Sequence, residues 1–278
     1  MDDRLDPAAP AALQSSFGAP HAVAMRLRLA GTHGIAPIAV AMLALAGWEL
    51  LVRTLRIPEV VLPAPSAVLA VFGGAQAHVL LENALPTGLQ AVSGFLFAAL
   101  LGMAIAIAIA YSQALKEAVY PYLIAFQVIP KIAFAPIFVL WFGIGFKSRF
   151  AFATFICFFP IVIALATGLR ETSPDLVRMS RAFGASKAQI FLHVRFPFSL
   201  PYLFSGLKIA ATLSMIGVVI GEFITADRGL GYLILYAASR SNTPLVLAAI
   251  LILCAIGIVI YGSVAATERW VSRTMNQQ

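Results

Sequence analysis

Two ionisable side chains, Lys131 and Glu222, lie within or at the end of long apolar stretches of this sequence. A charged group inside a bilayer is costly, and it usually faces the protein interior or a water-filled path. Lys131 is near the middle of its stretch, where the ammonium group could bind an anion. It could also pair with a carboxylate, contact a backbone carbonyl or extend towards an interface. Lys131 and Glu222 are therefore the candidate residues of a solute path.

Glu222 is followed by two further charged residues, Asp227 and Arg228. These three side chains could face a protein partner outside the membrane. Ordinary solvation at the membrane–water interface is the simpler interpretation, and we favour it.

No pattern in the sequence indicates catalysis. The phosphate-binding pattern Gly-x-x-x-x-Gly-Lys-Ser/Thr is missing. Gly229-Leu230-Gly231 follows no strand and lacks the third glycine of a phosphate-binding loop. Cys157 and Cys254 lie in apolar stretches without a Cys-x-x-Cys pair, so we expect both to be buried small hydrophobic residues. We expect no catalytic residue, no metal and no cofactor, so any energy must come from a partner protein.

The composition indicates a membrane protein. Of 278 residues, 61% are hydrophobic and only 11% are charged, and the mean hydropathy is +0.92. A soluble domain has about 25% charged residues, which cover its surface. The net charge of +7 could suggest nucleic-acid binding. Basic residues at the cytoplasmic ends of membrane spans explain it better.

Six apolar stretches are long enough to cross a bilayer, which takes about 20 residues of helix. The predicted spans are about 35–55, 89–110, 119–142, 150–169, 200–224 and 245–265. Pro121, Pro130 and Pro136 interrupt the third stretch. Such breaks are tolerated where neighbouring helices satisfy the backbone groups, so we expect the third span to lie inside the bundle.

Basic residues predict the orientation. With a cytoplasmic N-terminus, eleven Lys and Arg residues fall on the inside and six on the outside. This bias places both termini in the cytoplasm. Residues 1–30 are rich in Ala and Pro and predict a disordered cytoplasmic tail. Residues 25–46 also resemble a secretory signal, but the apolar run continues to Leu55 and favours a span.

The segment 170–199 between the fourth and fifth spans contains clear helix boundaries. Ser173 followed by Pro174 predicts a helix start, and Gly184 predicts its end. Ser186 predicts the cap of a second short helix that ends before Pro197. We thus expect two helices, 174–183 and 187–195.

Each of these helices has an apolar face. Leu176, Met179 and Phe183 fall at helical spacing in the first helix, and Ile190 and Val194 do so in the second. Basic residues occupy the other sides. Such a unit could dock in a groove of a partner protein, or it could lie on anionic lipid, and the pattern leaves both open.

The same segment resembles the signature loop of binding-protein-dependent ATP-binding-cassette permeases. That signature reads Glu-Ala-Ala, three residues, Gly, nine residues, then Ile-x-Leu-Pro. Gly184 and Pro197 match it, Val194 and Phe196 are conservative, and Arg178-Met179-Ser180 replaces Glu-Ala-Ala. With this replacement the acidic residue that usually contacts the ATPase is absent from the signature, whereas the shape of the loop is expected to be the same. The resemblance implies ATPase coupling through Arg178, Met179, Ser180, Gly184, Ala185, Val194, Phe196 and Pro197.

Other stretches are similar to the nitrate, sulfonate and taurine permeases of this family. They are Val61 to Ser66, Pro130 to Ala133, Trp141 to Gly145, Phe158 to Pro160 and Gly229 to Ile234. The resemblance implies an all-α, six-span, type I importer permease (MetI-like) fold in the bacterial inner membrane. It also implies a homodimer, two cytoplasmic ATP-binding subunits and a periplasmic or lipid-anchored solute-binding protein.

The solute is less well defined than the family. The nitrate, sulfonate and taurine group implies a small organic or inorganic anion. The stretch from Gly221 to Tyr232 also resembles permeases for thiamine-precursor pyrimidines. An ion-coupled secondary transporter is a further alternative, but the related halves that such proteins often show are not apparent.

Overall fold

A computed structural model describes residues 35–225 and 227–275, and these residues are almost entirely helical. The helices are α1 (Ile35–Thr54), α2 (Pro65–Gly73), α3 (Gln76–Tyr111), α4 (Gln113–Val128), α5 (Ala135–Phe142), α6 (Phe146–Arg170), α7 (Pro174–Ala182), α8 (Lys187–Ile190), α9 (Phe196–Thr225), α10 (Leu230–Ser239) and α11 (Thr243–Met275). A 3-10 turn (Lys131–Phe134) precedes α5, and a π-helical turn (Phe191–Arg195) precedes α9. The predicted all-α class is confirmed. The predicted tail 1–30 lies outside the described residues.

Five helices of the described ranges are long and apolar enough to cross a membrane. The pair α4 and α5 makes a sixth if it is counted as one broken span. The helix α3 has 36 residues, which at 1.5 Å per residue is about 54 Å. Because the hydrocarbon core is about 30 Å thick, α3 must extend beyond it.

The chain divides into two compact units, residues 1–57 and 58–278. In the first unit, α1 is a 20-residue apolar helix whose side chains are mostly exposed. Near its C-terminal end Arg53 and Glu49 form an ion pair at 2.6 Å.

The core of the second unit is built around α6, which packs between α3 and α9. Phe152, Ile161, Val162 and Leu165 of α6 are almost completely buried there. Small residues allow the helices to approach closely, as is typical of helix packing in membranes. Cys157 is buried in this core, whereas Cys254 of α11 is exposed, so the expected burial of both is wrong for Cys254.

A smaller core lies at the N-terminal end of α3, where α2, α10 and the start of α11 meet. Its buried residues include Val68, Leu80, Leu230, Leu233 and Leu245. This core holds the short helix α10 against the long helices.

The predicted third span, 119–142, is not one helix. The helix α4 ends at Val128, and the chain bends by 97° before it continues through the 3-10 turn and α5. The cause is Pro130, because a proline disfavours helical geometry in the residue before it. Ile129 is accordingly extended, with φ −67° and ψ 135°.

The expectation that the third span lies inside the bundle is wrong for the single chain. Val128 and Leu140 are exposed, the latter by 82%. Tyr122 and Trp141 of the same two helices are exposed as well. One chain therefore leaves much of the broken span uncovered.

The second short helix after the fourth span also differs from its prediction. It does not end before Pro197 but passes through the π-helical turn directly into α9. In that turn the amide of Phe196 donates to the carbonyl of Phe191, five residues back. The wider turn continues the helix past Pro197, which has no N–H group to donate.

Candidate functional site

The α7–α8 segment, defined as residues 173–197, contains a sharp and well-formed turn. Gly184 has φ +79°, a conformation that glycine adopts without strain. Its amide donates to the Arg181 carbonyl at 2.9 Å, and the Ala185 amide donates to the Ser180 carbonyl at 3.1 Å. This pair of bonds is the Schellman motif, which ends a helix and redirects the chain.

The helix starts on either side of this turn differ in their caps. Ser186 and Gln189 form a capping box, in which each side chain accepts from the other residue's backbone amide. Ser173 is at the predicted cap position of α7, but its side chain makes no capping hydrogen bond. The α8 start is thus fixed by its own side chains.

The predicted apolar face of α7 points away from the rest of the described chain. Phe183 is 84% exposed, and Leu176 and Met179 are exposed too. Val177 on the opposite face is buried and anchors the helix. Ile190, which the sequence places with Val194 on the apolar face of the second helix, is buried, so this residue is not offered to a partner.

Four of the predicted coupling residues meet at one depression between α7 and α8. Ser180, Gly184, Ala185 and Val194 line this concavity of about 330 Å³. Phe183 stands at its edge. The segment therefore offers both a hollow and a projecting aromatic ring to whatever contacts it.

The other predicted coupling residues lie outside the depression. Met179 belongs to the exposed face of α7, and Phe196 and Pro197 are half-buried where the segment joins α9. Arg178 is exposed, with its guanidinium 3.9 Å from the Asp175 carboxylate. An exposed pair of this kind contributes little to stability, so Arg178 remains available to a partner.

Lys131 lies at the break of the third span rather than within a continuous helix. Its ammonium group donates to the Gln127 carbonyl at 3.1 Å and lies 5.6 Å from the ring centre of Phe159. Of the contacts considered for Lys131 from the sequence, the one with a backbone carbonyl is therefore observed. No ion pair with a carboxylate is found for Lys131 among the described residues.

Glu222 is 1% exposed, so its expected solvation at the interface is wrong. One carboxylate oxygen accepts from the Thr87 hydroxyl and the other from the Gly231 amide, both at 2.7 Å. Thr87 in turn accepts from the Leu230 amide at 2.9 Å, and Asn83 accepts from the Gly229 amide at 2.7 Å.

We call this arrangement the amide clasp: the side chains of Asn83, Thr87 and Glu222 with the amides of residues 229–231. The first amides of a helix have no partner within the helix, and they attract negative charge. The clasp satisfies three of them at the start of α10. It ties α10 to both α3 and α9.

Arg149 supplies positive charge beside the clasp and is 3% exposed. Its guanidinium donates to the carbonyls of Gly145 at 3.0 Å and Arg228 at 3.2 Å. Sequence reasoning missed Arg149, Thr87 and Asn83, because none carries a local pattern. The Arg149 side chain packs against Gly221 of α9, where an added Cβ would lie 2.9 Å from Arg149 Cγ. The glycine is the one trace that this contact leaves in the sequence near Glu222.

The sequence also did not indicate an ion pair between α9 and α11. Lys208 of α9 lies 2.5 Å from the Glu268 carboxylate of α11, and both side chains are about a quarter exposed. It links α9 to α11, and on α9 it lies 14 residues before Glu222 of the clasp.

Replacement of Glu222 by Gln tests the clasp. The substitution keeps the size but removes the charge and places an amide N–H₂ against a donor. We expect a loss of about 1–3 kcal/mol in stability, the usual cost of an unsatisfied buried group. Thermal unfolding in detergent and hydrogen exchange at amides 229–231 measure it.

Asp227→Asn is the matched control, since Asp227 is exposed and 3.9 Å from Arg149. We expect almost no change there. Equal stability of the two variants would contradict the structural role of Glu222.

Comparison with known proteins identifies the family. Residues 94–273 match the family described as "Binding-protein-dependent transport system inner membrane component". The chain is 32% identical to the "Probable ABC transporter permease protein" of Haemophilus influenzae, over 86% of this chain and 96% of the relative. It is 36% identical to the "Formylaminopyrimidine transport permease protein ThiX" of Halalkalibacterium halodurans, over 66% and 74%.

Other relatives are named as permeases for riboflavin, taurine, aliphatic sulfonates and bicarbonate. The fold is similar to that of an inward-facing structure of the MetNI methionine ABC transporter. The TM-score is 0.61 at 21% identity, covering 70% of this chain and 97% of that chain. The chain belongs to the family of binding-protein-dependent transport system inner membrane components, the permease subunits of ABC transporters.

Proposed function

We propose that two copies of this chain form the transmembrane path of an ABC importer, which cytoplasmic ATP-binding subunits drive through the α7–α8 segment. As a member of its family the chain is a non-catalytic, multi-pass inner-membrane permease subunit for a small solute. The family assignment replaces the ion-coupled alternative. The proposal itself has four parts: the pairing of two copies, the cytoplasmic position of both termini, the docking role of the α7–α8 segment and the class of solute.

The exposed apolar face of α7 is the observation that carries this proposal. An amphipathic helix of nine residues, followed by an exposed Phe183 at its C-terminal end, is suited to a groove in a partner. The Schellman turn and the capping box fix this shape without help from the partner. The segment is thus prepared for docking before any subunit binds.

The break in the third span supports the second copy. Non-helical backbone at membrane depth is tolerated only where protein covers it or where it lines a water-filled cavity. Ile129 and Ile132 at the break are exposed in the single chain. A second copy that faces this break would cover it and enclose a path between the copies.

Both termini are proposed to be cytoplasmic, which places the α7–α8 segment on the side of ATP. The clasp and the start of α10 then lie on the outer side, where a solute-binding protein delivers its cargo. The excess of basic residues in the segments assigned to the inside supports this orientation.

A small anion is the proposed solute. Lys131 at the break offers a positive charge whose contacts, a carbonyl and an aromatic ring, leave that charge without a neutralising carboxylate in the described chain. Relatives are named as permeases for taurine, aliphatic sulfonates and bicarbonate. These solutes all carry a negatively charged group, and taurine carries an ammonium group as well. A thiamine-precursor pyrimidine is the second candidate, favoured by the 36% identity to ThiX.

Substitutions at Gly184 test the coupling. The space around its Cβ position is open, so Gly184→Val is strained only by φ, by roughly 1–2 kcal/mol. We expect Gly184→Val to insert and assemble but to lose transport-coupled ATP hydrolysis in proteoliposomes. Gly184→Asn is the control and should retain most coupling, because Asn tolerates this conformation. Normal coupling in Gly184→Val would contradict the role of the turn.

Cysteine labelling tests the path. In a Cys254→Ala background, we expect Ile132→Cys in membranes to react with a charged, membrane-impermeant thiol reagent, because the break lines water. Leu43→Cys on the exposed face of α1 should react much more slowly, since that face is expected to contact lipid. If Ile132→Cys is as unreactive as Leu43→Cys, the break does not line an aqueous path.

Lys131 separates the two solute classes. With ATP-binding and solute-binding partners present, Lys131→Gln should reduce uptake of taurine or an alkyl sulfonate by about tenfold, while Lys131→Arg keeps it. Uptake of a neutral formylaminopyrimidine should hardly change. If pyrimidine is the only transported solute and Lys131→Gln has no effect, the anion assignment is wrong.

A further inference from the structure

Two adjoining cavities lie where α3 and α6 end and where α4 and α9 begin. Their volumes are about 370 Å³ and 170 Å³. Both are lined by Tyr111, the last residue of α3, and by Arg195, just before α9. They are therefore neighbouring parts of one recess at the ends of the membrane helices.

The recess is strongly basic. Lys116 and Arg170 line the larger cavity with Arg195, and Arg181 and Lys187 line the smaller one with it. No acidic residue is among the described residues that line either cavity. Arg170 lies 3.8 Å from the half-exposed Glu171 carboxylate. The cations that share the recess repel each other, and an anion between them would reduce this repulsion.

Arg195 gives the clearest sign of a missing ligand. Its Nε is fully buried and has no hydrogen-bond partner in the described part of the chain. A buried donor of a charged group that remains unpaired is costly, and such groups normally have an acceptor. Arg195 lines both cavities, so after a small rotation of its side chain Nε could donate to an oxygen atom in the recess.

We propose that this recess binds the phosphate group of an anionic phospholipid from the surrounding leaflet. Phosphate oxygens accept paired hydrogen bonds from guanidinium groups, and basic recesses between membrane helices suit anionic headgroups. The ends of α3 and α6 lie at the level of headgroups if these helices cross the membrane. A half-buried Tyr120 and an exposed Tyr111 at the same recess fit the aromatic belt of that interface.

The proposed lipid site goes beyond the solute path, and it does not depend on which solute is carried. Arg181 and Lys187 belong to the α7–α8 segment, whereas Lys116 and Arg170 belong to the membrane helices. One headgroup would thus connect the segment with the ends of the spans. Loss of anionic lipid would release this connection.

Lipid binding to the purified full chain tests the proposal. Native mass spectrometry in a zwitterionic detergent measures retention of phosphatidylglycerol against phosphatidylcholine. We expect selective retention of phosphatidylglycerol, weakened by about tenfold or more in Arg195→Gln and in Lys116→Gln, since each loses a charge-assisted bond. Arg195→Lys, which keeps the charge, should be weakened less.

Arg273→Gln is the matched control. It removes the same charge from an exposed position near the end of α11 and should leave retention unchanged. Inorganic phosphate in place of lipid distinguishes the source. If phosphate binds, phosphatidylglycerol does not, and Arg195→Gln abolishes phosphate binding, the oxyanion site stands and its ligand comes from solution.

Two results would overturn the site. One is equal retention of phosphatidylglycerol by the wild type, Arg195→Gln and Lys116→Gln. The other is no binding of either probe to the wild type, together with weaker assembly of Arg195→Gln with the ATP-binding subunits. In that case the cations serve a protein partner. If Arg195→Gln does not fold, Arg195→Lys and Lys116→Gln decide between these results.

Discussion

Close contact between the backbone of α6 and its neighbours α3 and α9 is the constraint on which the second unit depends. Lipid tails are as apolar as the helix surfaces, so burial alone cannot hold such helices together and contact distance matters more. An added Cβ would lie 2.9 Å from Ala153 at Gly94 and 2.7 Å from Ala164 at Gly206. There is no room for a side chain at either glycine position. The backbones of α3 and α9 therefore pack directly against α6.

Within the second unit, this packing connects the amide clasp with the α7–α8 segment. Arg149, near the start of α6, supports the amide clasp, and the other end of α6 leads into the α7–α8 segment. The helix α9 runs from that segment back to Glu222 at the clasp, about 40 Å away at 1.5 Å per residue. A movement of the segment is therefore applied to two long helices that already contact each other along their length. That arrangement suits a protein driven from one side and loaded from the other.

Most local interactions were predictable from the sequence, although Ser173 makes no capping bond and the helix continues past Pro197. Long-range interactions were not predictable. Gly184 and Ser186 form a Schellman turn and a capping box from neighbouring residues, so their types alone predicted the turn. Pro130 predicted a break, but its 97° angle depends on how α5 packs on α6. Glu222 was misplaced because the side chain that donates to its carboxylate, Thr87, is 135 residues away. No local pattern indicates which polar residues meet inside a helix bundle.

The most direct test of the account replaces Phe183 with the photoreactive residue p-benzoylphenylalanine in the assembled transporter. The ring at this position projects from the α7–α8 segment, and irradiation records what it contacts. The account predicts a covalent adduct with the ATP-binding subunit at position 183 and none at the buried position of Val177. An adduct of position 183 with lipid, and none with the subunit, would show that the segment lies on the membrane surface and would contradict the account.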